Sequence, residues 1–317
     1  MGKTDLSPTL KSMTSQKKFK ISSPKTKDFW EIPVLYEDDE IFVIDKPYGL
    51  AIRQDADDPL VPALNLLFVD HIQRKVPWTV EFNTPYLKAC HDLDPEASGA
   101  LIVARSEKAY DKIHEQFFSH KSVVRYTILI QGTPMEEKFS VDVQVGPHGK
   151  RPGMYCVSKN RGKRSLSHFK VLEHFTGYTL LEAECIPNRL HQARVHMRYL
   201  GPSLVGDVIY NGAPLLLSRL KPNYRLKKKK TERPLMARPA IHCSQVHFES
   251  PLTGEMVSVD CPFPKDMEVS LKYLRQYADP AGIYEPEGYS YSLADYEVES
   301  GPESGGDKSE DDPTREV

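Results

Sequence analysis

At 317 residues, 39% hydrophobic and 27% charged, with a formal charge of −2 at pH 7, the chain has the composition of an ordinary globular protein, long enough to bury a core without staples. No run of about 18 apolar residues occurs, so no membrane span is expected, and the opening "MGKTDLSPTL" has no leader-like apolar stretch and puts Leu6 where a myristoylation signal wants Ser or Thr. Five scattered cysteines without a Cys-x-x-Cys pair argue for reduced thiols and against disulfides or structural zinc.

In chain order, residues 1–27 carry seven Lys against Asp5, with few apolar anchors, and are expected to be disordered. The domain boundaries follow: a flexible Lys/Ser-rich extension over 1–30, one folded domain over 31–278, and a tail over 279–317 that is acidic, with nine acids against two bases after residue 294. "EIFVIDKP" (40–47) reads as a strand ended by Lys-Pro and a turn at Gly49. "GALIVAR" (99–105) is a buried strand by its continuous apolar run. "SEKAYDKIHEQFF" (106–118) has an N-cap Ser and places Tyr110, Ile113 and Phe117 on one face, the pattern of an amphipathic helix. Strands follow at 122–132, 141–145, 167–175 and 178–186, several with two-residue alternation. A helix is expected over 190–201, stopped by Gly201, and a last strand pair over 241–250 and 255–262. Helices interspersed among many short-linked strands predict an α+β fold with a largely antiparallel sheet.

One segment between these elements stands out by charge. "RLKPNYRLKKKKTERPLMAR" (219–238), in a loop placed at 215–238, gathers nine basic residues against Glu232. A solvated loop, a contact for a polyanion backbone and a nuclear-import signal all fit it.

Chemistry is suggested by "HDLDPEASGALIVAR" (91–105), where Asp92 and Asp94 precede Ser-Gly and a buried run. Taken alone, Asp94 before Pro95 is a turn initiator. Taken with "EDDEIFVIDKPYGLAI", "VVRYTILIQG", "NRLHQARVHMRYLGPSLVGDVIY" and "IHCSQVHFESPLTGE", in this order, the chain resembles the RluA class of RNA pseudouridine synthases, here as a eukaryotic member, over roughly 36–274. The resemblance implies isomerisation of a uridine in RNA from an N-glycoside to a C-glycoside, and a central, mostly antiparallel mixed sheet with flanking helices, split by an active-site cleft. No cofactor or metal is implied.

Residue by residue, the resemblance makes Asp94 the catalytic carboxylate, able to stabilise or attack the sugar as the glycosidic bond breaks. Arg194 matches the basic partner that keeps that carboxylate ionised. Tyr126 matches the tyrosine that stacks on the target base and is proposed to help remove the C5 proton. His191 and Gln192 match as positioning residues near substrate, Arg189 joins them, and Lys46 and Pro47 look structural. Lys227, Lys228, Lys229 and Lys230 are expected to give salt-sensitive phosphate contacts. A zinc site from His191 and His196 has poor spacing.

Three departures bear on substrate handling. Asp92 replaces an Arg that in the family fills the gap left by the extruded nucleotide, and an acid there repels phosphate. Ala193 replaces a bulkier aliphatic residue. Leu190, Asn188 and Ala97 stand for Thr, Gly and Thr. The expectation is a monomeric synthase acting on a stem-loop of tRNA, rRNA or mRNA, in cytoplasm or nucleus rather than mitochondrion. Its alternatives are an RNA-binding pseudoenzyme of the same fold and an unrelated glycosidase using Asp92 and Asp94, about 6–7 Å apart on an extended segment.

Overall fold

The computed structural model describes residues 17–54, 61–226 and 230–280. In chain order the elements are β1 (Lys18–Ser22), β2 (Phe29–Glu37), β3 (Ile41–Lys46), α1 (Leu64–Gln73), α2 (Pro77–Glu81), β4 (Lys88–Ala89), β5 (Ser98–Ala104), α3 (Glu107–Phe118), β6 (Val123–Gln131), β7 (Lys138–Pro147), β8 (Tyr155–Val157), β9 (Lys163–Phe175), β10 (Tyr178–Ile186), α4 (Gln192–Leu200), α5 (Leu217–Leu220), β11 (Ile241–Glu249), β12 (Met256–Asp260) and α6 (Lys265–Tyr277). The strands form one sheet in the order β1-β2-β3-β5-β11-β6-β10-β9-β7-β8, with β4 added to β5 and β12 to β11. The expected α+β fold and mixed, mostly antiparallel sheet are what the chain adopts.

The sheet joins at its centre through a parallel contact of β5 with β11, Ser98 opposite His242 and Gly99 opposite Cys243. Gly99 is required there. Its φ is +117°, and a Cβ at this position would lie 2.2 Å from the Cys243 carbonyl oxygen. All seven residues of β5 are buried, as a continuous apolar run in a strand covered on both faces should be. At the other end of the sheet β7 and β9 show the half-buried alternation of strands with one wet face.

Helices cover the sheet where the sequence supplies an apolar face. In α3 the Ser106 hydroxyl caps the Ala109 N–H at 3.1 Å, and Ile113 is fully buried. α6 was not anticipated; its Met267, Leu271 and Leu274 close a second cluster with Leu129, Leu215 and Met236. Val195 of α4 packs with Val145, Val157 and Tyr210, which pins that helix to the β7–β8 end of the sheet.

The N-terminal boundary is earlier than expected. Part of the segment assigned to disorder is β1, paired with β2 from Lys18↔Pro33 to Ser22↔Phe29. Phe19 and Ile21 alternate inward and are fully buried, and the Phe19 ring stacks on Trp78 at 4.7 Å. Five residues of alternation among lysines were too short a signal to separate from a basic tail. Residues 1–16 and 281–317 lie outside the described residues. The helix expected at 190–201 spans Gln192–Leu200, with Gly201 at its C-cap.

Candidate active site

Four segments of different sequence origin meet around Asp94. The turn 91–97 delivers Asp94 from the β4–β5 connection, α4 starts at the same place, β6 contributes Tyr126, and the tight turn at Gly206–Asp207 closes the group from below α4. Lys46 locks the turn. It is fully buried, and its Nζ donates to the carbonyls of Pro47 and Leu50, each at 2.9 Å, and to that of Pro95 at 3.4 Å. The Gly49 N–H adds a 2.7 Å bond to the Pro95 carbonyl.

Both oxygens of Asp94 are fixed by donors. Oδ1 accepts the backbone N–H of His191 at 2.9 Å, and Oδ2 accepts Arg194 Nη1 at 3.1 Å. His191 is in the left-handed region (φ 58°) at the N-cap of α4, which turns its N–H toward the carboxylate at the positive end of the helix dipole. Arg194 is fully buried and divides its donors. Nε and Nη2 grip Asp207 at 2.7 and 2.9 Å, while Nη1 reaches Asp94 and also Glu96, at 3.2 Å. One guanidinium therefore orients three carboxylates, the bidentate pair with Asp207 aiming the remaining nitrogen.

The electrostatics follow from these contacts. Burial works against charge on Asp94, but the positive charges of a protonated His191 and of Arg194, with the hydrogen bonds from both, outweigh it and hold the pKa below the ordinary carboxylate value. Burial lowers the pKa of His191, so near neutral pH Arg194 is the charge that does this. Burial pushes the Tyr126 hydroxyl well above its ordinary range, so it stays a phenol. That hydroxyl donates to Asn188 Oδ1 at 2.9 Å, and Asn188 Nδ2 donates to the Asp92 carbonyl at 2.8 Å. Asn188 thus bridges Tyr126 to the turn that carries Asp94.

Asp94, Glu96 and His191 bring ligand-type atoms within 4.8 Å of one another. As a cation site the set is already served: Arg194 occupies Asp94 and Glu96, and the Nδ1 of His191 is engaged with the Tyr210 hydroxyl at 2.8 Å.

The remaining expected residues scatter. The Gln192 side chain donates to the Leu166 carbonyl and Ser167 hydroxyl and accepts the Arg189 N–H, bracing the start of α4. Arg189 donates its Nε to the Arg164 carbonyl at 3.2 Å. Lys230 is exposed, as are Arg219, Lys221, Arg225 and Arg233; Lys227, Lys228 and Lys229 lie outside the described residues. The loop placed at 215–238 contains α5, and Arg238 at its end departs from the expected role: it is buried against Asp266, at 2.7 and 3.1 Å. Asp92 is not an unpaired acid. Its Oδ1 is 2.9 Å from Arg53 Nε.

Sequence reasoning missed Glu96, Asp207, Tyr210 and Arg53. Gly206-Asp207 lies in the "NRLHQARVHMRYLGPSLVGDVIY" segment, where a Gly before an acid at a tight turn is the available signal. Arg53 had no local signal, because its partner is distant in sequence.

A family model described as RNA pseudouridylate synthase matches residues 40–199, a span that contains Asp94, Tyr126 and Arg194. The chain belongs to the RNA pseudouridylate synthase family. Ribosomal large subunit pseudouridine synthase D of Pseudomonas aeruginosa is 32% identical to this synthase over 247 residues, covering 78% of this chain and 72% of that protein. The corresponding protein of Xanthomonas campestris pv. campestris is 30% identical over 244 residues, covering 77% and 69%. The solved structure of human RNA pseudouridylate synthase domain containing 4 shares the fold, with a TM-score of 0.54, 20% identity and coverage of 76% of this chain and 92% of that one. The synthase is of the RluA class and isomerises uridine in RNA. That assignment displaces the glycosidase reading of Asp92 and Asp94.

Proposed function

We propose that Asp94 is the catalytic carboxylate of this pseudouridine synthase, with Arg194 and the His191 N–H as its positioning donors, and that the substrate is a structured stem-loop, with large-subunit ribosomal RNA placed ahead of tRNA and mRNA. The observation that carries the first part is the pairing of both Asp94 oxygens to donors in a buried setting that keeps it ionised. The ranking of ribosomal RNA first is supported by the bacterial relatives, which are ribosomal large subunit pseudouridine synthases.

In the reaction the C1′–N1 bond breaks, the uracil turns, and C1′ bonds to C5. The C5 proton then departs and N1 gains one, so the product is an isomer. An ionised, pre-aimed carboxylate stabilises or attacks the positive character that develops at the sugar C1′, or adds to the electrophilic C6 of the base. Tyr126, held as a phenol against Asn188, serves as a hydroxyl relay and ring surface beside the base, not as a phenolate. Arg189 and Gln192 act through the start of α4. The exposed bases of 215–238, with Lys227 to Lys230, supply phosphate contacts weakened by salt. The protein works as a monomer in cytoplasm or nucleus.

The alternative, a catalytically impaired RNA-binding pseudoenzyme, rests on Asp92 standing in place of an arginine, and the pairing of Asp92 with Arg53 supports the active reading over it. The test is chemical mapping of pseudouridine in unmodified RNA pools (rRNA, tRNA and mRNA separately) after incubation with wild type or Asp94→Asn. New sites with wild type alone, in rRNA, are expected. New sites with Asp94→Asn would overturn the role of Asp94, and sites confined to tRNA or mRNA would overturn the substrate ranking.

A further inference from the structure

We propose that Arg53, which Asp92 seats beside the catalytic turn, contacts a phosphate of the bound RNA next to the target uridine; this rests on Asp94 marking the reaction centre. Asp92 lies two residues before Asp94, and its carbonyl accepts the Asn188 amide that also holds Tyr126, so its backbone belongs to the site. Its side chain does something else. It leaves the site's network and meets Arg53 Nε at 2.9 Å, in a pair whose side chains remain 62% (Arg53) and 40% (Asp92) exposed.

The fold has little use for such a pair. Exposed ion pairs contribute about 0–1 kcal/mol, and the backbone that carries Arg53 is anchored without it. Ile52 is buried, the Leu64 N–H donates to the Ala51 carbonyl at 2.8 Å and the Asn65 N–H to the Ile52 carbonyl at 3.1 Å. Lys46 and Gly49 tie the start of the same connection to Pro95. Arg53 thus projects from a fixed base, at a fixed distance from the turn that holds Asp94.

A guanidinium presents five N–H donors in a planar fork, and engagement through Nε is compatible with a phosphate on the fork's far edge. Burial raises the pKa of Asp92 and the Arg53 charge opposes that rise, so the two groups stabilise each other's charge while RNA is absent. When RNA binds, Asp92 holds the arginine in place, and the local sum with one phosphate is −1 rather than the −2 an unpaired acid would give.

The test uses full-length protein and total RNA carrying [5-³H]uridine, with tritium release for KM and kcat and filter retention for RNA affinity at several salt concentrations. Arg53→Ala is expected to raise KM about 5- to 30-fold, with a smaller effect on kcat, and to lower the salt slope of binding by about 1. The charge swap Arg53→Asp with Asp92→Arg is expected to recover affinity to within a few-fold of wild type, whereas Arg53→Asp alone binds worse than Arg53→Ala. Unchanged KM and salt slope in Arg53→Ala, or a swap no better than Arg53→Asp, would overturn the proposal. Thermal melts of each variant separate binding from folding. Asp94→Asn assayed in parallel keeps the two readings apart: if it still releases tritium the catalytic assignment fails, and if it is inactive while Arg53→Ala behaves as wild type, only the Arg53 assignment fails.

Discussion

At the residue scale the decisive feature is how Arg194 apportions its nitrogens. Two go to Asp207, which is fully buried, and the third is left for Asp94 and Glu96. A lysine cannot reproduce that fork, since it offers a point charge on a flexible stem. Arg194→Lys is therefore expected to lower kcat roughly 100-fold by misplacing the carboxylate. It should also change the pH profile. Asp94 sits below its ordinary pKa through its cationic donors, so weakening them raises that pKa and moves the acid limb of the rate profile to higher pH. A pH series of kcat/KM on wild type and Arg194→Lys checks both the size and the sign. That Asp94, Arg194 and Tyr126 would be brought together was legible in the sequence, because each stands inside a motif that resembles the family's. The Arg53–Asp92 contact was not legible, because nothing local to either residue announces a partner 39 positions away.

At the element scale, β5 and its flanks decide where the turn 91–97 can sit. The strand was readable from its apolar run, and Ser106 marked the helix that follows it. What could not be read was that β5 lies parallel to β11, closely enough that position 99 admits no side chain. Gly99→Ala is expected to cost at least about 3 kcal/mol through a backbone clash and an unfavourable φ, and urea unfolding of the variant measures it. β1 was missed for a different reason. Its hydrophobic content is two residues, and its worth appears only when Phe19 reaches Trp78, Phe42 and Phe82. Phe19→Ala should cost about 3–5 kcal/mol, the range for a large side chain removed from a core, and the same unfolding experiment distinguishes this from the near-zero effect expected of a disordered extension.

At the scale of the whole molecule, the sheet order brings the β4–β5 turn, β6 and the start of α4 together from positions up to 100 residues apart, as the 3.1 Å contact of Asp94 with Arg194 shows. The α+β class was legible from the alternation of elements; the sheet order was not, since periodicity carries no information about partners. Among the buried histidines of the folded molecule, His91, His196 and His242 have pKa values that burial lowers to about 4. The unfolded chain takes up these protons near pH 6.5, the folded chain only near 4. Stability contributed by keeping them neutral is therefore fully present above about pH 6.5 and is lost as pH falls through that window. Each proton difference is worth about 1.4 kcal/mol per pH unit, so the three together make acid unfolding steep. Urea midpoints between pH 7 and 4.5 should fall continuously; a flat profile would contradict the burial of these groups in neutral form.

The central claim is that one aimed, ionised carboxylate performs the isomerisation. Its most direct test is tritium release from RNA carrying [5-³H]uridine by wild type and by Asp94→Asn, because leaving C5 is the step that every turnover must include. Release by wild type and none above background by a folded Asp94→Asn is the predicted result. Release by Asp94→Asn at a rate comparable to wild type would contradict the account and move the reaction centre away from the Arg194 cluster.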